Sequence, residues 1–441
     1  MHKLKTLAGL AAVAGFGLFL GTGAVTQALA QQSGQTQQPQ KKVKDQGEYD
    51  LYNSVVKETD PAKKLQYLNQ WVEKYPTSDF QDEQLQFYNQ LNQPAKVLDL
   101  GQKILAKNPK DLVSLTFIAL NVQKLPNPTP DQMSLAKNSA QTILDNLDSL
   151  KPAGTSEAAW EKGKGDLQKL AKGTLMWVAA KPAMDAEQRK DYVAAADGYT
   201  KALQQYPDNA QFAYKLGSAL ISQKDPSKFA QAIYEIARAV ATPADKGGLD
   251  DATRKQVDGY LDRIYAQYHG DSSGLDQLKQ QALASPLPPA DFKLETAAQL
   301  AAEKEEQFRE KNPQLALWMG IKKQLTDANG QQYFDSQMKN AAVPKLKGTL
   351  VEAKPSCRPK ELVVAISDST HPEVTLKLDM PLKGKPMPGT TIQWEGVPSA
   401  FTPDPFMVTM DTETAKLDDV PVEACSVAPA RRGARRGAKK K

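Results

Sequence analysis

From Asp45 to about Ala342, apolar residues recur three and four positions apart, the spacing of one face of a helix. Leu65, Leu68, Trp71 and Val72 form one such set. Leu85, Tyr88 and Leu91 form the next, and Val97, Leu100, Ile104 and Leu105 another. The sets are punctuated by Tyr75-Pro76 and Asn108-Pro109. Proline has no amide hydrogen and disfavours a helix just before it, so each break ends one helix and frees the next to start. Asp60-Pro61 has the chemistry of an N-cap followed by a proline in the first helical position. The pattern predicts helices in pairs, and a single pair cannot bury its own apolar seam. Copies must stack.

Further along, the pattern predicts a helix over 112–124, another over 133–150, and a third carrying Leu167, Leu170 and Leu175 to Val178. "AKPAMDAEQRK" reads as an inserted loop before Tyr192, because of its proline and its weak apolar period. Residues 250–269 and 272–284 read as one more pair. Residues 292–309 and 315–325 read as terminal helices closing the open end of the stack.

The most regular stretch is "YTKALQQYPDNAQFAYKLGSALI", from Tyr199 to Ile221. Pro207 separates two helical patterns, with Asp208 or Asn209 placed to cap the second. Gly217 sits inside that second helix, where it costs about 1 kcal/mol relative to Ala; close helix–helix contact is the natural reason to keep it. Ala195, Tyr199, Ala202 and Pro207, followed by Ala213, Leu216, Gly217 and Leu220, resemble the junction between two tetratricopeptide (TPR) repeats. Ala213 stands where that family usually has Trp. Pro76 and Pro109 lie 33 residues apart, close to the family's period of about 34. The resemblance implies an α–α superhelix whose concave face holds a protein or peptide partner. It places Gln211, Tyr214, Ser218 and Ser222 on that face. Tyr214 and Ser218 replace the Lys and Asn of the family's carboxylate clamp, which sets that binding mode aside.

The period changes near Pro344. "GTLVEA", "ELVVAIS", "EVTLKLD", "TTIQWEG" and "FMVTMDT" alternate as strands and are separated by Pro, Gly, Asp and Ser. Five short strands predict a small all-β barrel or sandwich, which looks OB-like. Trp394, Phe401 and Phe406 serve it either as core or as a binding platform. The expected fold is therefore mainly α, a TPR-like solenoid over 45–342, followed by a small β module over 343–428.

Composition adds the ends. The 441 residues are 40% apolar and 24% charged, in the globular range. His2, Lys3 and Lys5 precede an apolar run from Leu7 to Val25, and Ala28-Leu29-Ala30 resembles a cleavage site before Gln31. Residues 1–30 thus read as an export signal, with a retained anchor as the alternative. No later segment is apolar enough to span a bilayer. Residues 31–44, Gln-rich, read as a disordered linker. The expected location is the periplasm or the exterior of a bacterium. In an exported chain Cys357 and Cys425, the only cysteines, read as one disulfide.

The net charge is +5, but Arg431, Arg432, Arg435, Arg436, Lys439, Lys440 and Lys441 all lie in the last eleven residues, and the chain between leader and tail is mildly acidic. The segment 429–441 reads as a disordered tail for an anionic partner. The export signal favours an envelope polymer or lipid head groups over nucleic acid.

Nothing points to catalysis. His269 and His371, the only histidines after the leader, fall in different predicted domains, and no phosphate loop, dinucleotide fingerprint, G-x-S-x-G or H-E-x-x-H occurs. The expectation is a non-enzymatic scaffold or adaptor without metal or cofactor. A binding module for anionic polymer or nucleic acid, working through the β module and tail, is the alternative.

Overall fold

A computed structural model describes residues 41–425. The predicted leader, the first part of the linker and the basic tail fall outside the described residues. The chain is mainly α-helical and ends in a closed five-stranded barrel. It divides into two compact units between Leu294 and Glu295.

The first unit holds α1 (Gln46–Lys57), α2 (Pro61–Lys74), α3 (Gln81–Gln90), α4 (Pro94–Leu105), α5 (Leu112–Asn121), α6 (Pro130–Asn146), α7 (Glu157–Gln188), α8 (Tyr192–Gln205), α9 (Ala210–Ser222), α10 (Phe229–Ala241), α11 (Asp251–His269) and α12 (Leu275–Ala284). Each helix from α1 to α10 packs on the next, and α5 also touches α3 and α7. This is the contact pattern of stacked helical pairs. The caps follow from sequence. Asp60 accepts from the Lys63 amide ahead of Pro61, and Thr129 forms a capping box with Gln132 ahead of Pro130. Asn209, rather than Asp208, caps α9 by accepting from the Phe212 amide at 3.0 Å.

The TPR-like positions Ala195, Tyr199, Ala202, Ala213, Leu216, Gly217 and Leu220 are all buried between α8, α9 and α10. A Cβ on Gly217 would lie 2.6 Å from Ile236 Cγ1 and 2.8 Å from the Ala232 carbonyl oxygen. The glycine lets α9 and α10 approach.

Four sequence expectations are corrected. The stretch from Ala180 to Lys190 is not a loop, since α7 continues through Pro182 to Gln188. Its alanines 180, 183 and 186 are buried, Lys181 pairs with Asp185 one turn on, and Ala183 meets Gly198 of α8. Packing outweighs the proline, whose lost hydrogen bond and ring clash ordinarily cost about 3 kcal/mol. The last two helices of the unit are not a simple pair, because α12 packs mainly on α10. Lys41–Lys44 is not loose linker, being held by ion pairs and hydrogen bonds to α1 and to the start of α3. Finally, the division at 342 moves to 294.

That last correction has a clear cause. The second unit comprises α13 (Ala297–Lys311), α14 (Pro313–Leu325), α15 (Gly330–Tyr333) and the strands β1 (Val343–Lys354), β2 (Glu361–Ala365), β3 (Val374–Leu378), β4 (Lys385–Pro386), β5 (Thr391–Pro403), β6 (Phe406–Thr412), β7 (Leu417–Asp418) and β8 (Val422–Glu423). The barrel runs β1-β2-β3-β6-β5, and β5 pairs back to β1 to close it. All these pairings are antiparallel except β3 with β6. Trp318, Leu325, Phe334 and Met338, from α14 and the turns after it, are buried with Leu346, Leu350, Leu376, Ile392, Trp394 and Val408 of the barrel. Glu373, at the start of β3, fastens the contact. Its buried carboxylate accepts from Trp318 Nε1 at 3.0 Å, from the Ser367 amide at 2.7 Å and from the Lys322 ammonium. These helices close the barrel rather than the solenoid.

Candidate partner-binding site

Gln211, Tyr214, Ser218 and Ser222 lie along one flank of α9, and all four are half-buried. The helix sets this flank, because Phe212, Ala213, Leu216, Gly217, Ala219 and Leu220 turn the other way into the core. The two serines have limited capacity for a partner. Ser218 Oγ donates to the Tyr214 carbonyl at 2.8 Å, and Ser222 Oγ donates to the Ser218 carbonyl at 2.9 Å. Among the described residues, the Gln211 amide and the Tyr214 hydroxyl take part in no hydrogen bond.

Two residues that the sequence reading did not single out join them. Tyr260 of α11 is half-buried, and burial, with the Tyr214 phenol nearby, raises its pKa. The exposed Arg263 guanidinium stands 6.0 Å from the centre of the Tyr260 ring, a cation–π contact. Tyr and Arg are the residue types that dominate binding hot spots, offering wide area at low entropy cost. The signal available in sequence was the three-residue spacing of Tyr260 and Arg263 on a helix, which does not say which helix they face.

Trp394 is fully buried in the barrel. Phe401 and Phe406 are 5.7 Å apart and extend that core through Phe334 and Trp318. Cys357 and Cys425 form a disulfide, with Cα atoms 5.9 Å apart. The His269 ring lies against Tyr265 in the first unit, and His371 pairs with Asp368 at 2.9 Å in the second. Among the described residues no group of three or more His, Cys, Asp or Glu is placed to hold a metal ion, and no helix is long and apolar enough to cross a membrane. The seven tail cations from Arg431 to Lys441 lie outside the described residues. Compared with protein families and with curated proteins, the chain matches no family model and no curated sequence.

Proposed function

We propose that this chain is a non-enzymatic scaffold, exported to an oxidising compartment, that binds a protein or peptide through the flank of α9 beside α11. The observation that carries the reading is the group formed by Tyr214, Tyr260 and Arg263. It offers two rings, a stacked guanidinium and the uncommitted hydroxyl of Tyr214 on a rigid helical stack. The burial of the TPR-like positions supports a repeat of that kind. The closed strand order, with β3 parallel to β6, supports an OB-like β module. The Cys357–Cys425 disulfide supports export, with the bacterial periplasm as the proposed destination.

The test is site-specific photocrosslinking in the native host, with the reactive side chain at Gln211 and, as a control, at the exposed Lys201 of α8. A partner captured at 211, absent at 201 and lost in a Tyr214→Ala/Arg263→Ala variant is the expected result. Equal capture at both positions would remove this flank as the binding face.

A further inference from the structure

The loop from β3 to β5, residues 379–390, is tied to one end of the barrel by backbone bonds. The Leu382 amide donates to the Pro359 carbonyl at 3.1 Å, and the Gly384 carbonyl accepts from the Arg358 amide at 2.8 Å. Thr414 Oγ1 donates to the Met380 carbonyl at 2.8 Å, and the Gly389 amide donates to the Leu350 carbonyl at 2.7 Å. Inside the loop β4 pairs with β8, and the Cys357–Cys425 disulfide joins the chain after β8 to the turn after β1. Three parts of the chain are thus knotted together and present their side chains in a fixed array.

Two kinds of side chain share that array. Arg358, Lys360, Lys383 and Lys385 are exposed, and none of the four forms an ion pair with a described residue. The acids nearby are mostly engaged. Glu352 pairs with Lys354 at 3.1 Å, and Glu361 lies between Lys354 and Lys377 in the sheet register. Asp379 accepts from the Thr414 amide at 2.7 Å. Glu423 remains, opposite Lys385, so cations are in excess. Among them stand Met380, Met387 and Val422, which are 60%, 43% and 44% exposed. These are the only large apolar side chains that residues 343–425 leave exposed. The barrel therefore gathers its exposed apolar side chains at the end that carries its unpaired cations.

We propose that this end of the barrel docks on an anionic lipid bilayer. Arg358, Lys360, Lys383 and Lys385 meet the headgroup phosphates, while Met380, Met387 and Val422 enter the boundary of the acyl chains. A soluble polyanion would use the cations and leave the apolar side chains in water. Single-stranded nucleic acid stacks on aromatic platforms, but Trp394, Phe401 and Phe406, the only aromatic residues in 343–425, belong to the barrel core. Covalent geometry adds to the charge at this end. Six residues separate Cys425 from Arg431, so the first tail cation lies within about 20 Å of the disulfide. The surface is separate from the α9 flank, so either reading stands if the other fails.

The test is co-sedimentation of protein spanning 31–441, which lacks the apolar leader and keeps every described residue. Vesicles of equal parts phosphatidylglycerol and phosphatidylcholine should bind it, and vesicles of phosphatidylcholine alone should not. Lys383→Ala/Lys385→Ala should weaken binding about twentyfold. Lys110→Ala/Lys228→Ala, which removes the same charge from exposed positions of the first unit, should leave it unchanged. Met380→Ser/Met387→Ser keeps the charge and should weaken vesicle binding about tenfold. Its affinity for soluble polyphosphate should stay that of the parent, which also shows that the variant is folded. Protein ending at Ala430 should bind more weakly but keep the dependence on the two methionines. A photoactivatable phospholipid should label peptides that cover 379–390 and 421–425. The proposal is overturned if anionic vesicles fail to bind, if the methionine substitutions leave vesicle binding unchanged, or if ending the chain at Ala430 abolishes it. The second result would mark a site for soluble polyanions, and the third would assign the binding to the tail alone.

Discussion

Glu235 and Glu373 are both buried carboxyls, and their surroundings give them opposite roles. Glu235 lies on α10 with no solvent exposure, and neither carboxyl oxygen has a hydrogen-bond partner among the described residues. Burial pushes its pKa up to about 8, with the Arg238 guanidinium pulling it down. Arg238 is engaged elsewhere. It donates to the carbonyls of Ala282 at 2.6 Å and Ser285 at 2.9 Å, near the end of α12, and to Pro207 at 2.6 Å. A carboxyl that keeps its proton when folded, and loses it near pH 4.5 when unfolded, makes stability fall as pH rises between those values. The slope approaches about 1.4 kcal/mol per pH unit. In urea titrations at pH 5.5 and pH 8, the transition of the first unit should weaken with pH in the parent and much less in Glu235→Gln. Identical pH dependence in both would mean that the carboxyl is ionised in the fold. Glu373 behaves in the reverse sense. Burial opposes its charge, but Lys322, Ser367 and Trp318 hold its pKa below the ordinary value. Its contribution is present above the unfolded pKa and disappears as pH falls through the lower folded one, so the second unit should loosen in acid.

Among the helices, one substitution should have two signs. Gly217→Ala gains about 1 kcal/mol of helix propensity, yet its new methyl meets the Ala232 carbonyl at 2.8 Å. Backbone must move, so a net loss of roughly 1–3 kcal/mol is expected. Gly163→Ala, on α7, meets nothing within 4 Å and should stabilise by roughly 0.5–1 kcal/mol. Thermal melts of the two variants check the contrast. The same elements show what could be read in advance. The helical seams, the closing prolines and the five strands were legible because they are local periodicities. The helical state of Pro182 was not, because Ala183 against Gly198 is a contact between helices. The membership of Trp318 and Phe334 in the barrel was hidden as well. An apolar helix face does not state which surface it will cover. At the candidate site, the α9 flank followed from the repeat pattern, whereas Tyr260 and Arg263 needed the packing of a second helix.

At the scale of the whole molecule, the disulfide matters most. Cys357 and Cys425 are 68 positions apart and enclose most of the barrel, from the turn after β1 to the end of the described chain. In the chain-entropy view such a closure stabilises by about 4 kcal/mol. Cys357→Ser/Cys425→Ser should lower the melting temperature of the second unit and leave that of the first unit nearly unchanged. The closure also fixes a load path. A force applied to the tail enters the fold at Cys425 and crosses directly to Cys357, bypassing every strand between β2 and β8. If the tail is an attachment point, tension on it pulls on β1 while the rest of the barrel is mechanically shielded. In a single-molecule stretching experiment the enclosed loop should remain hidden from extension in the oxidised protein. Adding reductant should release about 230 Å of further contour length, and a trace that shows this length before reduction would mean the barrel itself carries the load.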